Sequence, residues 1–136
     1  MPFECLTECT CLEQIRGVRI ANGMYNEELL AVLPNLEELE LLDSDRANGG
    51  HPNVQRLRLT IDTGPVSITG EWPVLRRLDL VFTNEIGTAR GMLDAMRQPT
   101  LREVRIVTPG IPSYVASHLD AMRDRLDIQI TIRPRD

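Results

Sequence analysis

The chain contains no lysine. All fifteen of its basic side chains are arginine, they face 20 Asp and Glu, and the formal charge is -5. That balance argues against a dominant cationic groove while leaving room for a local basic patch, and no specific nucleic-acid partner is expected. Aromatic residues make up only 4%, too few for the stacking platforms that bind single-stranded nucleic acid. No apolar run approaches the roughly 20 residues that cross a bilayer. The first residues, Met1-Pro2-Phe3-Glu4-Cys5, are acidic where a secretory leader is basic. The expectation is a cytoplasmic or nuclear chain with no membrane partner.

Cysteine is equally scarce. Cys5, Cys9 and Cys11 are the only three, an odd number that does not suit a secreted disulfide scaffold. Their spacing leaves a tetrahedral zinc site one ligand short, and His51 and His118 lack zinc-finger spacing. Structural cysteines and no metal are expected. There is no phosphate-cradling glycine loop of the P-loop or dinucleotide type; Gly49-Gly50 alone is weak. Ser44, Asp45 and His51 lie close in sequence but have no nucleophile elbow or oxyanion-hole context. A non-enzymatic chain without a cofactor follows as the expectation.

What is present is one domain's worth of ordinary globular sequence: 136 residues, 42% hydrophobic and 26% charged, enough for a single core. Five segments share aliphatic residues at positions 0, 3 and 5: Ile15/Val18/Ile20, Leu36/Leu39/Leu41, Val54/Leu57/Leu59, Leu75/Leu78/Leu80 and Leu101/Val104/Ile106. Their starts are 21, 18, 21 and 26 residues apart. A sixth, degraded copy is Arg125/Ile128/Ile130. Positions 3 and 5 point to one face of a strand, and position 4 points to the other. One such strand cannot bury its apolar side alone, whereas side-by-side copies share a continuous interior.

Between these segments, Pro34, Pro52, Pro73 and Pro99 each stand two residues before position 0, where a missing N–H is tolerated. Helical returns are expected over Tyr25–Leu33 (Leu29, Leu30 and Leu33 inward), over Thr88–Arg97 (Met92, Leu93 and Met96 inward), and along the stripe Val115, Leu119, Met122, Leu126. Pro112 or Ser113 marks the start of the last, and Asp120, Arg123, Asp124 and Arg125 supply its polar surface. Gly87 and Gly91 weaken the middle helix. Residues 43–53 read as a loop or short turn, and Val66 with Ile68 as an accessory strand. Trp72 reads as a packing residue, Phe82 as a residue just past a strand, and Tyr25 as the start of a helix.

The L-x-x-L-x-L pattern over roughly residues 12–133 resembles the leucine-rich repeat family, in its ribonuclease-inhibitor-like or F-box-associated forms, although no F-box is recognisable. The resemblance implies an α/β fold: a right-handed leucine-rich-repeat solenoid with a parallel concave sheet of about six strands and helical or irregular returns. It implies one domain over 1–136, with 1–14 as an amino-terminal cap and 15–133 as repeats. It also implies macromolecular recognition on the concave face. At the family's asparagine position stand Gly23, Ser44, Asp62, Thr83 and Pro109, of which Ser44, Asp62 and Thr83 offer local hydrogen bonds.

The candidate partner-binding residues occupy the strand positions facing away from the core. Position 4 gives Arg19, Glu40, Arg58, Asp79 and Arg105, and position 2 adds Glu38, Arg56, Arg77 and Glu103. Leu42, Thr60, Val81 and Val107 form an aliphatic margin. Two readings stand side by side. Opposite charges on neighbouring strands stabilise a solvated face by about 0.2–1 kcal/mol per pair, or the arginines anchor acidic and aromatic groups of a protein partner. The corresponding functions are protein–protein recognition through this face, a structural fragment or small subunit that self-associates or docks through an exposed terminal repeat, or the substrate-binding part of a ubiquitin-ligase adaptor.

Overall fold

In the computed structural model, which describes residues 14–20, 32–42, 46–47, 50–62, 65–87 and 91–133, the aliphatic segments become strands of one sheet. These are β1 (Gly17–Ile20), β2 (Glu38–Leu41), β4 (Arg56–Ile61), β6 (Arg77–Phe82), β7 (Glu103–Thr108) and β8 (Asp127–Ile132). They lie in the order β1-β2-β4-β6-β7-β8, and every neighbouring pair is parallel. The register is the same throughout, so that Val18, Leu39, Leu57, Leu78, Val104 and Ile128 share one row. Ile20, Leu41, Leu59, Leu80, Ile106 and Ile130 share the next.

Period-two alternation explains why the sheet has one wet and one dry face. From Leu39 to Ile106 the residues of these two rows are 0–1% exposed, and each such leucine contributes about 1.5–3 kcal/mol by leaving water. The residues between them stay at the surface, with one exception described below.

Backbone bonding at the strand entrances repeats with the register. The Arg16 carbonyl accepts the N–H of Glu37 and of Glu38, Glu37 accepts Gln55 and Arg56, Gln55 accepts Arg76 and Arg77, and Arg76 accepts Arg102 and Glu103. Just before each entrance the chain turns at a proline. The Leu33, Trp72 and Gln98 carbonyls accept the N–H groups of Leu36, Leu75 and Leu101, at 3.3, 3.2 and 3.2 Å. Pro34, Pro73 and Pro99 therefore hold the second position of a four-residue turn, for which proline's fixed φ is suited.

His51 completes the fourth proline turn differently. It is 4% exposed. Its Nδ1 accepts the Asn53 N–H at 3.1 Å, which leaves Nε2 to donate to the Leu33 carbonyl at 2.9 Å. The imidazole thus staples two successive returns together and has no ring nitrogen left for chemistry with Ser44 or Asp45, which lie outside the described residues.

The returns depart most from expectation, and they overturn the leucine-rich-repeat resemblance, the solenoid and the repeat description drawn from it. Among the described residues, strands and helices do not alternate. Among the described residues only α2 (Ser113–Met122) exceeds a single turn, and α1 (Met92–Ala95) is one turn long. The described residues form one six-stranded parallel sheet, a small two-stranded one and that longer helix, and the adaptor reading loses the resemblance on which it rested.

The physical reasons lie in the return sequences. Segments 43–53 and 61–73 are short and rich in glycine and proline, and their described residues bond to each other. Arg46–Ala47 (β3) pairs in parallel with Ser67–Ile68 (β5), and Gly50 bridges Glu71. The loop expected over 43–53 therefore contains a strand, and the accessory strand sits at Ser67–Ile68 with Val66 buried beside it. A Cβ on Gly50, whose φ is +74°, would fall 2.0 Å from the Glu71 carbonyl oxygen. The two returns run too close for any side chain there.

Gly91 shortens the middle helix. Its φ of +80° is left-handed and a Cβ would lie 1.6 Å from the Val66 oxygen, so the helix starts at Met92; residues 88–90 lie outside the described residues. Met92, Ala95 and Met96 are buried.

α2 begins after Pro112 and buries Val115 and Leu119, with Met122 partly covered. Leu126 is buried beyond the helix end. At position 0 of the sixth segment, where the other copies are aliphatic, the Arg125 guanidinium donates to the Met96 carbonyl. Trp72 is 1% exposed and donates to the Thr69 carbonyl at 3.0 Å. Phe82 is the last residue of β6, not a residue beyond it, and is buried.

At the strand exits, Thr83 Oγ1 donates to Asp62 Oδ1 at 3.2 Å, as does the Asn84 amide. Thr108, next to Pro109, donates to the Gly110 carbonyl at 2.8 Å. The cap over 1–14, apart from Gln14, with its three cysteines, the helix expected from Tyr25 as far as residue 31, Gly23 and Ser44 all lie outside the described residues.

Candidate functional site on the open sheet face

Because the register is uniform, the polar positions line up as cleanly as the apolar ones. One row across the sheet reads Gly17, Glu38, Arg56, Arg77, Glu103, Asp127, and the next reads Arg19, Glu40, Arg58, Asp79, Arg105, Gln129. All nine candidate residues therefore share one face. They do not share one role.

At the centre, Asp79 is 5% exposed. Arg56 donates to its Oδ2 through Nε at 3.2 Å and Nη2 at 3.0 Å, and Arg77 donates to Oδ1 through Nε at 3.0 Å. Three charge-assisted donors satisfy a carboxylate that is otherwise costly to bury. The cause of its burial is arrangement: Asp79 stands opposite Arg58 on one strand and Arg105 on the other, with Arg77 two residues earlier on its own. The side chains of Arg56 and Arg77 lie over it, at 37% and 23% exposure. Both arginines are thus committed within the protein.

Towards β1 the arrangement is looser. Glu40 Oε2 lies 3.6 Å from Arg19 Nε, and Oε1 lies 3.4 Å from Arg58 Nε. These contacts are ion pairs in distance, at a surface where such pairs contribute about 0–1 kcal/mol. The Arg58 Nε atom is itself buried and has no hydrogen-bond partner, the Glu40 oxygen lying outside bonding geometry. Beside it is a hollow of about 380 Å³, bordered by Gly17, Arg19, Glu38, Glu40, Arg56 and Arg58. It exists because Gly17 brings no side chain to the end of its row. A Cβ there would meet Glu38 only at 3.9 Å.

Glu38, Glu103 and Arg105 are exposed and have no side-chain partner among the described residues. The aliphatic margin of Leu42, Thr60, Val81 and Val107 is half-buried. Among the described residues, no cluster of three or more His, Cys, Asp or Glu is placed to hold a metal ion. No helix among them is long and apolar enough to cross a membrane.

Two features escaped sequence reasoning. The burial of Asp79 had a readable signal, since its neighbours on the polar face are mostly arginine. The unpartnered Arg58 Nε had none, because it depends on the angle at which Glu40 approaches. In comparisons with known proteins, no family model matches the chain, and neither does any curated protein or solved structure.

Proposed function

We propose that the chain is a non-enzymatic protein-recognition module that binds its partner through the open face of the sheet. The observation that supports this most is the Gly17 hollow of about 380 Å³, bordered by Arg19, Arg58 and Glu38. The Arg19 and Arg58 side chains are 68% and 43% exposed, so a carboxylate from a partner placed in the hollow meets guanidinium groups that are held only by loose ion pairs to Glu40. Free Glu38 on the same rim accepts a basic group. The matching ligand is a protein segment carrying both charges. On this face five arginines are interleaved with five carboxylates, a pattern that suits a charge-patterned protein surface and repels a polyanion in places.

The test is capture of binding proteins by the parent chain, by the charge-removing Arg58→Gln/Arg105→Gln variant, which sets no new carboxylate opposite Asp79, and by Arg123→Gln as an off-face control. Arg77 is unsuited to this experiment because it holds Asp79. Proteins captured by the parent and the control but lost by the double variant, at unchanged melting temperature, support the reading. Equal capture by all three removes the open face as the binding surface.

A further inference from the structure

The last strand of the sheet carries a pattern that the open face does not use. β8 is an edge. The N–H groups of Asp127 and Arg133 both point inward, to the carbonyls of Arg102 and Thr108 on the β7 side, at 2.9 Å each. Backbone groups alternate in direction along a strand, so those of Ile128, Ile130 and Ile132 point outward and meet no strand among the described residues. Ile132 is 48% exposed, and Ile130 is only partly buried.

The side chains are self-complementary about Ile130. Antiparallel pairing of two copies of β8 centred on that residue sets Ile130 against Ile130 and Ile128 against Ile132. These are the residues with outward N–H and C=O groups, so each such pair exchanges both backbone bonds. On the opposite side the same register sets Asp127 against Arg133 and Gln129 against Thr131, at the closer-spaced non-bonded positions. Asp127 and Arg133 are exposed and have no ion-pair partner among the described residues. A shift of two residues either way sets Asp127 against Thr131 or Arg133 against Gln129 and forfeits both ion pairs. Hydrogen-bond parity, hydrophobic side and charge thus select the same register.

We propose that the chain forms a two-fold dimer through antiparallel β8–β8 pairing centred on Ile130, extending the six-stranded sheet across two copies. The edge is closed by the symmetry, and the half-exposed isoleucines are covered. An exposed strand edge is otherwise a template for uncontrolled pairing.

Sedimentation equilibrium on the full chain tests this, with a dimer of twice 15.4 kDa expected. Asp127→Arg and Arg133→Asp each weaken dimerisation by about tenfold or more, since each places like charges together at two symmetric sites. The combined variant Asp127→Arg/Arg133→Asp restores it, because the swap regenerates both pairs only in this register. In the parent protein, the amides of Ile128, Ile130 and Ile132 gain protection from hydrogen exchange as concentration rises. A chain that remains monomeric through the high-micromolar range overturns the proposal. So does open-ended growth beyond the dimer, a swapped variant as weak as the single ones, or fast exchange at those three amides in the dimer.

Discussion

Arg56 on β4 reaches diagonally across the sheet and places its Nε and Nη2 3.2 and 3.0 Å from one oxygen of Asp79 on β6. That contact separates the structural part of the charged face from the part available to a partner. It predicts that Asp79→Ala loses about 2–3 kcal/mol of stability, since two arginines lose a shared buried carboxylate while remaining beside Arg58 and Arg105. Urea denaturation followed by circular dichroism measures it. A change under about 0.5 kcal/mol, the level of ordinary surface substitutions, contradicts the arrangement.

The same division predicts unequal responses from two arginines on one face. Arg77→Gln withdraws one of the three charged donors that satisfy buried Asp79 and lowers stability by about 1–3 kcal/mol. Arg105→Gln, at an exposed position with no side-chain partner among the described residues, stays within about 0.5 kcal/mol. Thermal melts of the two variants side by side decide it, and equal melting temperatures count against the division.

His51→Ala leaves the Leu33 carbonyl and the Asn53 N–H without the partners they have at 2.9 and 3.1 Å. The expected loss is about 1–3 kcal/mol, together with faster hydrogen exchange at the Asn53 amide. His51→Phe fills much of the space without restoring either bond and is expected to remain destabilised. Full stability in the phenylalanine variant would assign the residue to packing alone.

Two glycines give opposite results. Gly50→Ala puts a Cβ onto the Glu71 backbone at a left-handed φ and costs at least about 1–3 kcal/mol. Gly17→Ala meets only ordinary contact at 3.9 Å and leaves stability within about 0.5 kcal/mol. Gly17→Leu likewise folds but occupies the hollow beside Arg58, so it is expected to lose partner capture at unchanged melting temperature.

The strands and their shared register were readable because the aliphatic spacing from Leu36 to Ile106 encodes direction and depth together. A side chain two residues from another on a strand has little choice of face. The returns were not readable in the same way. Their glycines and prolines signal turns, but the pairing of Arg46–Ala47 with Ser67–Ile68 depends on two distant segments meeting, and no local period announces it. The helix expected from Thr88 was shortened by the backbone conformation of Gly91 against Val66, a tertiary contact. That is why a strand pattern correctly placed in the sheet led to a helix-strand repeat that the described residues do not show.

The charged rows were legible as rows and illegible as a network. Sequence gives Arg56, Arg58, Arg77 and Arg105 equal standing, and only side-chain geometry shows that two of them are occupied by Asp79. His51 was similarly ambiguous, although its place in His51-Pro52-Asn53, parallel to Leu33-Pro34-Asn35, marks it as a turn residue.

The open face as the surface of recognition is tested most directly by photo-crosslinking in cells. A photoreactive aromatic amino acid is placed at Thr60, on the margin of that face, or at Ser117, exposed on α2. Covalent adducts to another protein from position 60, absent when Arg58→Gln is added, are the expected result. Adducts only from position 117, or adducts from position 60 that persist undiminished with Arg58→Gln, contradict the account.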